Sequence, residues 1–414
     1  MVRQEYKETG VGEIPVDWSV ENFDHVTSVI TCGVAATPKY VPEGKGVPFL
    51  SSTNVKRGKV IWKNHKYISN ELHASLYRNN PPNKGDLLYS RVGSIGEAAV
   101  IKSEIEFSIY VSLTLIKLKN KLHNEYVAQL LNSDPYKALA NGTVYLGGGV
   151  GNLNVGVVRS FPIVFPDIEE QKAIAGALSD ADALIESLEK LIAKKRAIKT
   201  ATMQELLTGK TRLPGFEGNW EKCPIGSFTT LKAGGTPSTK INEYWGGDIL
   251  WMSSGELHLK FVQDVQGRIT NRGLQESAAT LLPKNCVLIG LAGQGKTRGT
   301  AALNRVPLTT NQSVAAIYPS KKHSSEFLFY NIDSRYEKLR ELSSGDGGRG
   351  GLNLTILSKI KVSMPCFKEQ QAIADVLLDI DRELTSLETK LRNLKGIKQG
   401  MIQELLTGRT RLVS

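Results

Sequence analysis

The sequence predicts an α+β fold written twice: two globular segments, each followed by a long helix. The two helices are expected to pair as an antiparallel coiled coil, giving the chain a pseudo-two-fold internal repeat. Three observations predict this: a repeat with a fixed offset, two long stretches with heptad-like apolar spacing, and short strand-like runs in the segments between them.

The repeat is the firmest of the three. Gln204-Glu205-Leu206-Leu207-Thr208-Gly209 recurs as Gln403-Glu404-Leu405-Leu406-Thr407-Gly408, and Thr211-Arg212-Leu213 recurs as Thr410-Arg411-Leu412, both at an offset of 199 residues. Upstream, Glu170-Gln171 matches Glu369-Gln370, Pro166 matches Pro365, and Leu153-Asn154 matches Leu352-Asn353. Before residue 150 the copies agree only in outline. Ile14-Pro15 with Trp18 resembles Leu213-Pro214 with Trp220, and Pro48-Phe49-Leu50-Ser51-Ser52 resembles Leu250-Trp251-Met252-Ser253-Ser254. The C-terminal part of each unit is nearly duplicated while the globular part has drifted, so two similar frames carry two different surfaces.

Residues 168–207 and 367–406 read as helices rich in Ala, Leu, Glu and Lys, with a proline before each and a glycine after. Apolar residues recur in steps of three and four. The helix-pairing candidates are Leu178, Ile185, Leu188 and Ile192 in the first copy, and Leu377, Leu384, Leu387, Leu391 and Leu394 in the second. A helix of 40 residues is about 60 Å long. The alternative is an amphipathic helix lying on its own domain; length and the narrow apolar seam favour pairing. The domain expectation is a globular segment at 1–166, a helical spacer at 167–208, a second globular segment at 209–365 and a second spacer at 366–414.

The globular segments show strand-like runs such as Leu113–Leu118 and Cys286-Val287-Leu288-Ile289-Gly290, then a helix (about 124–139 and 324–341) and a glycine-rich loop. Basic and hydrogen-bonding residues cluster in corresponding loops of both. The candidates for nucleic-acid contact are Lys56, Arg57, Lys59, Lys63, Lys66, Arg91 and Ser94 in the first segment. In the second they are Thr236, Ser238, Lys240, Gln294, Lys296, Arg298, Asn311, Gln312 and Arg349. Such side chains contact phosphates and base edges, although any one of them is ordinary on a solvated surface.

The net charge of +11 favours a polyanionic partner. No apolar run is long enough to span a membrane, and the start has no apolar signal core. The four cysteines are scattered with no metal spacing, which fits a reducing cytoplasm, the expected location.

Two motifs point elsewhere. Residues 290–297, Gly-Leu-Ala-Gly-Gln-Gly-Lys-Thr, fit the phosphate-binding P-loop pattern, but Gly299 and Pro307 interrupt the helix that should follow. Asn80-Pro81-Pro82-Asn83 is similar to the motif with which adenine methyltransferases stack a flipped base, yet Asn83 cannot stack. No catalytic constellation is visible, and no catalytic, cofactor or metal residue is assigned. A P-loop nucleotide-binding enzyme and a pure protein-interaction scaffold remain the alternatives.

Taken together, the opening Gly12-Glu13-Ile14-Pro15 with Trp18, the two Pro-to-Glu-Gln segments, the twice-written Gln-Glu-Leu-Leu-Thr-Gly and the pair Asn311-Gln312 resemble the specificity subunit of type I restriction–modification systems. The resemblance covers essentially the whole chain. The first segment departs from it with Tyr110-Val111 where the second has Asn311-Gln312. The resemblance implies a non-catalytic DNA specificity subunit whose globular segments are target-recognition domains, each reading one half of a gapped, asymmetric site on double-stranded DNA. The helices would dock two modification (methyltransferase) subunits, and restriction subunits would complete the nuclease. S-adenosylmethionine, ATP and magnesium are then expected on those partners and none on this chain.

Overall fold

The computed structural model describes residues 5–143, 151–293, 296–342 and 351–412. The chain divides into two compact units, and the division does not fall between the repeats. One unit comprises Met1–Leu188 together with Lys390–Ser414; the other comprises Glu189–Thr389. Each unit therefore contains one globular segment, the start of the helix that follows it, and the end of the other helix.

The core of the first unit is a four-stranded antiparallel sheet in the order Ala98–Val100, Leu87–Ser90, Leu113–Leu118, Thr27–Cys32. Its central strands are buried on both faces, and alternate residues feed different apolar clusters. Leu87, Tyr89 and Ile116 join the helix-side core, whereas Leu88, Leu113 and Leu115 join a second cluster with Leu50 and Phe107. In the second unit the corresponding strands stand in the same order: Ala301–Asn304, Val287–Gly290, Val314–Ile317, Leu231–Ala233. Val287, Ile289 and Ile317 face one cluster, and Leu288, Val314 and Ala316 face the other. A fifth short strand, Phe261–Val262, adds to this sheet in parallel. Each unit also has a three-stranded sheet containing one short parallel pair, Ser108–Ile109 on Val47–Leu50 and Thr309–Thr310 on Trp245–Met252. The duplication thus extends through the globular parts, where the sequence shows it only in outline.

The single helix expected near 124–139 is two helices, Asn124–Asn132 and Asp134–Gly142, separated by Ser133 in extended conformation. Pro135 explains the break, because it lacks the N–H that a continuous helix would use. The matching region is likewise Ser325–Asp333 and Tyr336–Leu342. The long helices span Ile168–Leu206 and Phe367–Leu405, 39 residues each.

Within each unit the two helix segments run antiparallel. In the first, Glu170 pairs with Arg411 and Asp182 with Lys398. In the second, Lys195 pairs with Glu383 and Lys199 with Asp381. Leu178 shares a cluster with Leu405 and Leu406, and Leu377 shares one with Leu206 and Leu207. Both therefore lie in domain cores as well as beside the other helix. Ile192 and Leu384 are buried, while Ile185, Leu188, Leu387, Leu391 and Leu394 are only half-buried. Away from the domains, the seam is narrow and flanked by ion pairs.

The repeated motifs bind one another crosswise. The carboxylates of Glu170 and Glu369 are fully buried, and each takes a bidentate guanidinium from the other repeat. Arg411 donates from Nε and Nη2 to Glu170 at 2.6 and 2.7 Å, and Arg212 donates to Glu369 at 2.5 and 2.7 Å. The neighbouring amides tie helix to domain. Gln171 accepts from the backbone N–H of His123 and donates to the carbonyls of Lys121 and Pro166; Gln370 accepts from Ser324 N–H and donates to Pro365. The glycines ending the repeats, Gly209 and Gly408, have φ of +72° and +68° and sit against Trp220 and against Pro15 and Trp18, respectively.

Candidate DNA-reading face

In each unit a glycine brings one loop onto the end of the short parallel strand. A Cβ on Gly33 would lie 2.1 Å from the Ile109 carbonyl oxygen, and one on Gly234 would lie 2.2 Å from that of Thr310, so only glycine fits. Four backbone hydrogen bonds then build the same corner twice. Gly33 N–H donates to Leu113 O and Val34 N–H to Ile109 O; Gly234 N–H donates to Val314 O and Gly235 N–H to Thr310 O. Tyr110 N–H donates to Leu50 O and its carbonyl accepts from Leu113; Asn311 N–H donates to Met252 O and its carbonyl accepts from Val314.

Side chains finish each corner differently. In the first, the Tyr110 hydroxyl is 3.2 Å from the Thr37 hydroxyl, and its ring meets Phe49 edge-on. In the second, the Thr236 hydroxyl donates to Gln312 Oε1 at 2.5 Å, and Asn311 Oδ1 accepts from Ser313 N–H. The indole N–H of Trp251 holds the Gly235 carbonyl and that of Trp245 holds Ser238 O, with the two rings in T-shaped contact. Thr236, Ser238, Asn311 and Gln312 are thus brought together. Thr37, Tyr110, Trp245 and Trp251 belong to the same corners; the only sequence signal for them is their place beside the matched glycines and beside Asn311-Gln312.

The other candidates are placed less uniformly. Arg91 is buried, and its guanidinium donates to Leu153 O, Val111 O and Asn152 Oδ1. The expectation that it contacts DNA is corrected: Arg91 is buried and each of its three guanidinium nitrogens already bonds this chain's own backbone or Asn152, so it acts as a positioning residue for the corner. Lys56, Arg57 and Lys59 form a hairpin with positive φ at Arg57 and Gly58, and Lys59 pairs with Glu186 of the long helix. Lys63, Lys66, Ser94, Lys240 and Lys296 are exposed, and Arg298 is half-buried. Gln294 and Arg349 lie outside the described residues, as do the glycine-rich loops at 144–150 and 343–350. The basic surplus resides on the globular segments. Residues 1–166 carry 18 Lys and Arg against 14 Asp and Glu, a surplus of +4, and 209–365 carry 20 against 12, a surplus of +8; the two helical segments carry 14 against 15.

The described residues flanking the P-loop-like run are not arranged as in a P-loop. Val287–Gly290 and Ala301–Asn304 are antiparallel neighbours, so the motif lies on a hairpin connection and no helix follows it. Asn83 starts a turn in which its N–H donates to Asp86 Oδ2 and its carbonyl accepts from Asp86 N–H. Among the described residues, no three His, Cys, Asp or Glu groups are placed to hold a metal. Burial pushes the Cys286 thiol up to about 12 and His323 down to about 4. No described helix is long and apolar enough to cross a membrane.

A profile for the type I restriction modification DNA specificity domain matches residues 25–195 and again 217–395. The chain belongs to that family. It is 25% identical over 446 residues to the MjaVIII type I restriction enzyme specificity subunit of Methanocaldococcus jannaschii, covering 100% of this chain and 98% of that one. The EcoR124I/EcoR124II specificity subunit of Escherichia coli is 26% identical over 233 residues, 55% of this chain and 57% of its own. The crystal structure of the S subunit of a type I restriction–modification system from M. genitalium superposes with a TM-score of 0.62 at 17% identity, over 94% of this chain and 96% of that one. The protein is a DNA specificity subunit of the type I restriction–modification kind, and the two matched stretches are its two copies of the specificity domain, each with most of the helix that follows.

Proposed function

We propose that each globular segment reads one half of a gapped, asymmetric site on double-stranded DNA, and that the paired helices set the spacing between the halves and dock two methyltransferase subunits. One observation carries this reading: the two units keep the same strand order and the same corner hydrogen bonds while presenting different side chains there. A shared frame with divergent surfaces suits two unlike half-sites, and helices that repeat the same Glu-Gln start and Gln-Glu-Leu-Leu-Thr-Gly end suit two identical partners. Lys63, Lys66, Lys240 and Lys296, exposed on the globular segments, contribute phosphate contacts and the salt dependence that goes with them. Thr236, Ser238, Asn311 and Gln312 contribute discrimination. On this reading the chain holds no cofactor; S-adenosylmethionine, ATP and magnesium belong to the modification and restriction subunits, and the complex works in the cytoplasm.

The test is selection of duplexes from a random library by the chain in complex with its methyltransferase subunits. Enrichment of one gapped sequence is the expected result. Stable binding of the partner subunits without preference for any duplex would favour a protein-interaction scaffold instead.

A further inference from the structure

We infer that the two corners discriminate bases by opposite chemistry: the first unit by apolar contact with the C5-methyl group of thymine, the second by amide donors to the N7 edge of a purine. This rests on the DNA-reading function proposed above and assigns the kind of base contact each unit makes.

The matched backbone bonds put the two corners in register, so their side chains can be compared position by position. Val34, Ala35 and Ala36 follow Gly33, where Gly235, Thr236 and Pro237 follow Gly234; Val111 stands where the second unit has Gln312. Ala35 and Ala36 are exposed, and Val34 and Val111 are half-buried. The Tyr110 hydroxyl is turned to Thr37. The first corner therefore offers methyl groups, and the one apolar feature on the major-groove edge of a base pair is the thymine methyl.

The second corner offers amides whose oxygens are already engaged. Gln312 Oε1 accepts from Thr236, and Asn311 Oδ1 accepts from Ser313 N–H. The Ser313 N–H can only donate, which fixes the flip of the Asn311 amide, and with the Thr236 hydroxyl donating to Gln312 Oε1 the NH2 groups of both amides are left as the reading atoms. Donors seek acceptors, and N7 is the major-groove acceptor common to adenine and guanine. Trp245 and Trp251 hold the loop carbonyls, so the donors stay aimed without help from DNA.

The experiment uses the selected duplex and the complex with methyltransferase subunits. Deoxyuridine in place of thymine deletes only the methyl group, and 7-deazapurines delete only N7. The expected result is that deoxyuridine weakens binding about fourfold or more in one half-site alone. A 7-deazapurine weakens binding roughly five- to hundredfold in the other half-site alone. Asn311→Asp and Gln312→Glu keep the two accepting oxygens and lose the donors. They should abolish the preference in the 7-deazapurine-sensitive half while leaving the other half and thermal unfolding unchanged. Specific binding that tolerates both analogues, or variants that alter the deoxyuridine-sensitive half, would overturn the inference while the DNA-reading function survives. Absence of any preferred duplex would overturn both.

Discussion

Arg411→Ala should destabilise the first unit far more than a residue so late in the chain would suggest. The Glu170 carboxylate is fully buried, and its ion-pair partner Arg411 reaches it through two hydrogen bonds of 2.6 and 2.7 Å. Removing one partner of a buried pair costs on the order of 3–5 kcal/mol, because the other charge stays behind unpaired. The arginine side chain is 26% exposed and also meets the exposed Asp17, so the lower end, about 3 kcal/mol, is expected. For a unit of this size that lowers the melting temperature by roughly 6–12 °C. Differential scanning calorimetry should show the fall in the transition of the first unit, leaving that of the second in place. Adding Glu170→Gln removes the stranded charge and should recover most of the loss. If Arg411→Ala costs under about 1 kcal/mol, or Glu170→Gln fails to rescue it, the crosswise pair is not what holds the repeat ends. The exposed pair Lys195–Glu383 is the control, where breakage should cost less than about 1 kcal/mol.

Other predictions follow from the same contacts. Gly408→Ala should cost more than Gly209→Ala, since both have positive φ but the added carbon meets a Pro15 ring atom at 2.5 Å in one case and Trp220 at 3.2 Å in the other; urea unfolding would rank them. Gln171→Leu should destabilise the first unit by about 2–4 kcal/mol, because His123 N–H and two carbonyls lose their partner, and hydrogen exchange at His123 would report it. His323 is held neutral by burial, with its pKa pushed down to about 4. Its contribution to stability is therefore complete above about pH 6.5 and disappears as pH falls toward 4, by about 3 kcal/mol at most. His323→Phe should flatten that part of the stability–pH profile.

What the sequence made legible and what it hid divide along physical lines. Helix extents depend on local composition and end signals, and 168–207 and 367–406 were readable to within a residue of Ile168–Leu206 and Phe367–Leu405. Repeat partners were hidden. Glu170 and Arg411 are 241 residues apart, and nothing local says that a glutamate in one copy answers an arginine in the other. Arg91 looked like a DNA contact because basic loop residues usually face solvent; only the fold shows three acceptors closing around it. The corners were half visible. Asn311-Gln312 stood out as residue types, while Trp245, Trp251 and Thr37 acquire meaning only from the carbonyls and hydroxyls they meet. Of the motifs that carried the family resemblance, those at the helix ends hold the crosswise pairs, whereas Asn311-Gln312 lies at the corner of the second unit.

The crosswise exchange of helix ends also sets an order of birth on the ribosome. Every segment of the second unit, Glu189–Thr389, has been synthesised before residue 390 is added, so that unit can complete itself first. The first unit, though begun earlier, has a core that includes Leu405 and Leu406 and a buried glutamate that awaits Arg411. At roughly 5–20 residues per second, its apolar socket for those leucines stays unfilled for about 10–40 s after residue 188 is made. The nascent N-terminal segment thus keeps apolar surface uncovered while the whole of the second unit is made.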